Sequence, residues 1–330
     1  MATVFQNYFQ LAKIRVTAMV LVTTAVGFVL ASGGPINWRR LALTLLGTGL
    51  AVVGAATINQ LMEIDRDAKM RRTCDRPLPA GAISRTHAFL FAMIATAAGL
   101  GILNEFVNPL TALLGLANVL LYTLVYTPLK PRTSLNTLVG SICGALPPVM
   151  GCTGATGRIS LDAALLGLIL FVWQVPHFLS FVWLYREDYA VAGYRMLPVT
   201  DPSGRLTCLS ILLYSLAMMP LGLVATFRGI SGYLFAAVSL AMGLAIFLLA
   251  VRLRAVKTKQ NARRVFVASI VYLPLLLALM VADRPSRQIH DDEQYAPNGI
   301  QEVPVDGRIA NAWVIARGVA AGQGAAQDHR

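Results

Sequence analysis

Nine apolar runs recur along the chain, near residues 14–32, 41–58, 88–104, 107–128, 135–155, 163–184, 206–227, 229–251 and 265–282, with polar segments between them. Each approaches the ~20 residues that a helix needs to cross a hydrocarbon core. Lipid offers a backbone amide no partner, so repeated runs of this length predict α-helices that satisfy their own N–H and C=O groups. The expected fold class is therefore all-α, a polytopic membrane bundle of about nine transmembrane helices. The first run follows Lys13 and Arg15 and superficially resembles a secretory leader. It is longer than the apolar core of such a leader and a second span follows, so it reads as a retained first helix. Past Asp283 the chain turns to Gln, Asp, Gly and Ala without a sustained period, and the stretch 309–321 is interrupted by Arg317 and too short to span. A transmembrane domain over 1–283 and a polar, disordered tail over 284–330 are expected.

Composition removes the soluble alternative. Of 330 residues, 56% are hydrophobic and only 13% charged, too few charges to cover a water-exposed surface of this size. The net charge of +12 suggests nucleic acid at first sight. Its distribution argues for a membrane instead, with no nucleic-acid partner. Lys and Arg gather in alternate loops: Arg66, Lys69, Arg71, Arg72, Arg76 and Arg85 in 59–87, Lys130 and Arg132 in 129–134, Arg186, Arg195 and Arg205 in 185–205, and six more in 252–264. That alternation places these loops, and the N-terminus, on the inner face; Arg39 and Arg40 are the exception. Cys74, Cys143, Cys152 and Cys208 show neither CxxC nor metal-ligand spacing.

The inner loops also carry the candidate chemistry. Asn59, Glu63 and Asp67 follow one another at i, i+4 and i+8 where the second span ends, so a continuing helix puts them on one face. Carboxylates one turn apart repel unless a cation lies between them. An oxygen-only stripe suits Mg²⁺, which bridges carboxylates to substrate phosphates. Lys69, Arg71, Arg72 and Arg76 follow at once and supply the other half of a diphosphate site, though a solvated helix end with ordinary charge pairs has the same spacing.

The sixth span contains Trp173, Gln174, Pro176 and His177 and runs into Tyr185, Arg186, Glu187, Asp188 and Tyr189. Polar groups inside a span usually face a cavity or mark a substrate path, and Pro176 frees a carbonyl there. A histidine simply bonded to a neighbouring helix is the competing reading of His177, and a hydrated loop that of Glu187 and Asp188. Lys130 and Arg132, on the same face, could reach a diphosphate or serve only as topology anchors.

Together these segments resemble the UbiA superfamily of intramembrane prenyltransferases, over roughly residues 8–282. The superfamily motif is matched by Asn59, Glu63, Asp67, Met70, Arg72, Thr73, Arg76, Pro77 and Leu78. Within it, the protohaem IX farnesyltransferases are resembled at 126–130, 144–148, 173–178, 185–189, Gly193 and 196–198. Ile14 and Pro131 depart from the family pattern, and the tail has no counterpart. The resemblance implies a helix bundle around a central cavity. It implies farnesyl diphosphate held by Mg²⁺ on Asn59, Glu63, Asp67 and Asp188, with Arg72, Arg76, Lys130, Arg132 and Arg186 neutralising the diphosphate. Haem b is implied as the acceptor, contacted by His177, Gln174, Trp173 and Tyr185, with Asp65 near the metal. A haem vinyl group would take the farnesyl chain and water would add a hydroxyl. Membrane lipid is the surrounding, and a downstream haem-modifying oxygenase the expected partner. With no presequence evident, an inner cytoplasmic membrane is expected, the active-site loops facing the cytoplasm. The rivals are the same transfer to another acceptor, such as 4-hydroxybenzoate or a chlorin, and a transporter built of internal repeats.

Overall fold

A computed structural model describes residues 4–285, so the tail expected over 284–330 lies outside the described residues apart from Arg284 and Pro285. The helices run α1 Val4–Leu11, α2 Ile14–Ala31, α3 Trp38–Asp67, α4 Arg85–Phe106 and α5 Pro109–Leu120, the last continued by a π-helical turn, Leu121–Tyr126, and a single turn, α6, Thr127–Leu129. There follow α7 Asn136–Thr156, α8 Leu161–Leu184, the short α9 Arg186–Val191 and α10 Leu197–Thr200, then α11 Arg205–Phe227, α12 Tyr233–Ala255 and α13 Lys259–Ala282. Among the described residues nine helical stretches are long and apolar enough to cross a membrane. The all-α polytopic bundle expected from the pattern of apolar runs is the structure found.

The ends of the spans are set by capping. Asn37, Ser84, Asn108, Ser160 and Thr258 each accept the backbone N–H three residues on, at the starts of α3, α4, α5, α8 and α13. Such side chains replace the hydrogen bonds a first helical turn lacks. Several boundaries shift from the apolar runs. Helix α3 continues past residue 58 to Asp67, carrying its polar stripe beyond the apolar stretch. Helix α12 begins at Tyr233 rather than near 229, where the Asp283 carboxylate accepts the Phe235 N–H at 2.7 Å. Helix α13 starts at its Thr258 cap, ahead of the basic pair Arg263 and Arg264.

Large apolar side chains such as Leu113, Leu124, Leu213 and Leu248 lie on the outside of the bundle, where lipid would meet them. Glycines and hydroxyl residues occupy the closest helix contacts, as expected where no hydrophobic effect draws helices together, while large side chains such as Ile169, Phe235, Tyr272 and Leu276 pack between α8, α11, α12 and α13. Helix α3 packs on α4, α2 on α7, α7 on α8, and α8 on α11 and α13, while α13 returns to α2. The α2–α7 contact is the tightest: a Cβ on Gly27 would fall 2.1 Å from the Pro148 carbonyl oxygen, and one on Gly151 2.0 Å from that of Thr24. Cys152 adds a thiol donated to the Gly27 carbonyl at 3.2 Å. Arg284 donates to the carbonyls of Val29, at 2.8 Å, and Ser32, fastening the end of the last span to the end of the first.

Backbone cannot yield as a side-chain tip can. Gly151→Val is expected to lower the melting temperature of the detergent-solubilised protein by an amount equivalent to ~1–3 kcal/mol. Gly33→Ala, at a glycine with nothing within 4 Å of its would-be Cβ, is expected to leave it unchanged. Thermal melts of the two variants against the parent protein check this.

Candidate active site

The extension of α3 brings Asn59, Glu63 and Asp67 to one face, all buried although two are acids. Each is met by a cation from a different segment. Lys13 donates from Nζ to Asn59 Oδ1 at 2.8 Å. Lys130 lies 2.8 Å from Glu63 Oε1 and donates to Oε2 at 3.0 Å. Arg76 donates to Asp67 Oδ2 at 2.7 Å. A buried carboxylate without such a partner would be strongly destabilising, so these contacts explain how the stripe survives burial.

Local structure delivers each cation. Lys13 sits in the break between α1 and α2 with φ 45°, the one non-glycine residue at positive φ among the described residues. That conformation is unfavourable for a lysine, and it is held by Gln60, whose amide donates to the Leu11 carbonyl at 2.6 Å. Lys130 follows the π-helical turn, whose wider ring shifts the register of the helix end. Beside it Thr127 accepts from Asn59 Nδ2 at 2.9 Å, and the Lys130 ammonium lies 4.7 Å from the centre of the Tyr126 ring. Arg76 comes from the loop after α3, where the Thr73 hydroxyl donates to the Asp67 carbonyl at 2.8 Å.

The electrostatic balance of this cluster is positive. Burial, and then the neighbouring charges of Lys130 and Arg76, lower the Lys13 pKa to about 7. Burial also disfavours the Lys130 ammonium, but the adjacent Glu63 carboxylate outweighs it and holds that pKa well above the ordinary value. Tyr194, also nearby, is raised first by burial and then by Glu63. Lys130 and Arg76 balance the two carboxylates, while Lys13, only partly protonated near neutral pH, can take up a proton to meet an anion brought to this point.

Two adjoining cavities open beside the cluster. One, of ≈ 210 Å³, is almost wholly apolar and lined by Lys13, Val20, Ala51, Ala55, Tyr122 and Met150 among others. The second, of ≈ 140 Å³, is lined by Tyr122, Tyr126, Thr137, Ser141, His177 and Phe178, and both share Tyr122, Gly140 and Gln174. Glycine makes this shared wall possible: a Cβ on Gly144 would fall 2.3 Å from the Gln174 amide, and one on Gly140 2.7 Å from the Tyr126 ring. His177 stacks on Trp173 at 4.7 Å between ring centres.

The other expected residues are placed less centrally. Arg72 lies over the rings of Phe181 and Tyr185, at 5.4 and 5.8 Å, tying its loop to the end of α8. Arg186 lies over Trp183, and Arg132 is exposed. Asp65 faces outward and pairs with Arg85 at 3.5 Å, away from the buried stripe. Asp188 is half-buried on α9, and among the described residues no three His, Cys, Asp or Glu side chains stand together as a metal cluster. Glu187 turns to the surface and pairs with Lys259 at 3.0 Å. Lys13 is the residue that sequence reasoning passed over. The available signal was a lysine immediately before the first span on the inner face, which served there only as a flanking charge.

The profile of the UbiA prenyltransferase family matches residues 20–277. The protoheme IX farnesyltransferase of Solibacter usitatus (strain Ellin6076) is 40% identical over 289 residues, 85% of this chain and 99% of that one. The mitochondrial protoheme IX farnesyltransferase of Homo sapiens is 44% identical over 279 residues, 84% of this chain but 62% of that longer protein. Among solved structures, a digeranylgeranylglyceryl phosphate synthase aligns with a TM-score of 0.72 at 15% identity, covering 85% of this chain and 98% of its own. A UbiA homolog from Archaeoglobus fulgidus bound to GPP and Mg²⁺ aligns with a TM-score of 0.61 at 17% identity, covering 83% and 99%. These last two likenesses concern the fold alone. The family profile and the relatives bear on the whole membrane portion, polar stripe and cavity wall included, and on them the chain belongs to the UbiA prenyltransferase family.

Proposed function

We propose that the chain transfers the farnesyl group of farnesyl diphosphate to a vinyl group of haem b, with addition of water, giving haem o and diphosphate at the cytoplasmic face of an inner membrane. The observation that carries this reading is the stripe of Asn59, Glu63 and Asp67, each residue met by a Lys or Arg, at the mouth of an apolar cavity that adjoins an aromatic one. The names borne by the relatives supply the acceptor.

The donor set fits a magnesium ion. Its atoms are oxygens, they share one helix face, and Glu63 Oε1 is buried with no aligned hydrogen-bond donor although Lys130 lies close to it. Asn59, Glu63 and Asp67 would hold the ion, with Asp188 proposed as a further ligand from α9. Bound there, it would supply charge that makes diphosphate a competent leaving group. The rest falls to side chains. Lys130, Arg76 and Lys13 already stand within hydrogen-bond reach of the stripe and would bind diphosphate oxygens, joined by Arg72 and, further out, Arg132 and Arg186. The farnesyl chain would lie along Val20, Ala51, Ala55 and Met150, a lining that keeps water from an allylic cation.

Departure of diphosphate breaks the bond between oxygen and carbon one of the farnesyl chain. The vinyl π pair of the haem forms the new carbon–carbon bond there, and the positive charge passes to the carbon beside the porphyrin. Water adds at that carbon and loses a proton, which leaves the hydroxyl of the product. Tyr122 lines both cavities and offers a ring face to the transient charge. Gln174 spans the same wall, His177 contacts the acceptor, Trp173 backs His177, and Tyr185 lies at the inner end of α8 beneath Arg72. The porphyrin is wider than the aromatic cavity, so its binding requires the lining to yield. A downstream haem-modifying oxygenase would be the consumer of the product.

Purified protein incubated with farnesyl diphosphate and haem b, 4-hydroxybenzoate or a chlorin, with products weighed by mass spectrometry, tests the acceptor; mass gain on 4-hydroxybenzoate alone would contradict the proposal. Glu63→Gln and Asp67→Asn are expected to remove magnesium-dependent turnover, by ~10²-fold or more, while inserting normally. Lys130→Met leaves Glu63 buried and unpaired and is expected to destabilise the protein by ~3–5 kcal/mol in thermal or denaturant unfolding. The double variant Glu63→Gln with Lys130→Met is expected to recover most of that stability without recovering turnover.

A further inference from the structure

His177 is held by one residue of the last span. Ser269, fully buried on α13, donates its hydroxyl hydrogen to the Phe266 carbonyl at 2.6 Å. His177 Nδ1 lies 2.9 Å from that same oxygen. A hydroxyl has one hydrogen to give and a carbonyl can only accept; with that hydrogen on the Phe266 carbonyl, Ser269 Oγ accepts from the imidazole and Nδ1 carries the proton. In a neutral imidazole that leaves the lone pair on Nε2. Nε2 has no hydrogen-bond partner among the described residues, and His177 lines the aromatic cavity with Tyr122, Tyr126 and Phe178.

The ring is also prevented from turning. Trp173 stacks on it at 4.7 Å and 20°, and Phe266 lies 5.0 Å away at 30°. Trp173 is itself anchored by Ser269, whose backbone carbonyl accepts the indole N–H at 2.9 Å. One serine thus holds both the imidazole and the ring behind it, and joins α8 to α13.

We propose that Ser269 and the Phe266 carbonyl fix the tautomer of His177, so that Nε2 is presented to the cavity as an axial ligand for the iron of a bound haem. The proposal rests on the reading of haem as acceptor and of His177 as its contact. Ser269 is a positioning residue here, since it acts through His177 and the Trp173 ring stacked on it. Partners of this kind orient a ligating imidazole and raise its basicity.

The test is a haem titration of the full-length protein in detergent, followed by absorption and resonance Raman spectra for the parent, His177→Ala, Ser269→Ala and Ser269→Cys, with farnesyl diphosphate binding and thermal melts measured alongside. The parent should show an iron–histidine signature that His177→Ala removes. Ser269→Ala should weaken haem binding by ~10–100-fold and shift the iron–nitrogen stretch, with farnesyl diphosphate affinity unchanged. Ser269→Cys, nearly isosteric but a poor acceptor, should fall between the two and keeps the test open if the alanine variant is unstable. A Ser269→Ala or Ser269→Cys protein with the parent's haem affinity and iron–nitrogen stretch, where His177→Ala has lost the signature, overturns the role of Ser269. A His177→Ala protein that retains the signature overturns the assignment of His177 as well.

Discussion

The end of the bundle to which α3 extends past its apolar stretch is organised around the burial of two carboxylates and an amide on one face of that helix. Removing Glu63 and Asp67 from water would be prohibitive without compensation, and the chain compensates from three directions, with Lys13, Lys130 and Arg76. Meeting that demand explains several local departures from regular structure. The α1–α2 break puts a lysine at positive φ. A π-helical turn precedes Lys130. The loop after α3 folds back so that Thr73 and Arg76 both reach Asp67. A cluster so arranged is stable by itself, and Lys13, with its pKa lowered to about 7, can add positive charge when an anionic substrate arrives.

Two other features follow from the same placement. The apolar cavity begins at Lys13, so a ligand whose head group is bound by the cations would extend its hydrocarbon away from water without crossing a polar barrier. The aromatic cavity shares Tyr122 and Gln174 with it, which brings a second ligand against the first where the two chambers meet. Transfer between bound partners then becomes a matter of proximity.

The number and place of the spans were legible in the sequence because lipid imposes one strong rule, a long apolar helix, and leaves little for tertiary context to override, although α3 and α13 extend past their apolar runs. The polar stripe was equally legible, since the spacing of Asn59, Glu63 and Asp67 is a helical period. Less legible was whatever depends on three-dimensional pairing. Lys13 looks like any flanking cation until its position against Asn59 is seen. Ser269 is one small polar residue in an apolar run. Arg40 breaks the charge asymmetry between the faces because it donates to the Val107 carbonyl at 3.1 Å, capping the end of a neighbouring span. Motif membership also gathered Asp188, Arg132 and Arg186 with the stripe, but it fixes the segment and not the direction of each side chain: Arg186 lies over Trp183 and Arg132 is exposed.

The most direct test of the central claim is anomalous diffraction from crystals of the protein grown with Mn²⁺ and a non-hydrolysable farnesyl diphosphate analogue. The account predicts a manganese peak bounded by the oxygens of Asn59, Glu63 and Asp67, with Lys130 and Arg76 turned to diphosphate oxygens. A peak elsewhere, or a diphosphate bound with the Lys130–Glu63 and Arg76–Asp67 pairs intact, would contradict it.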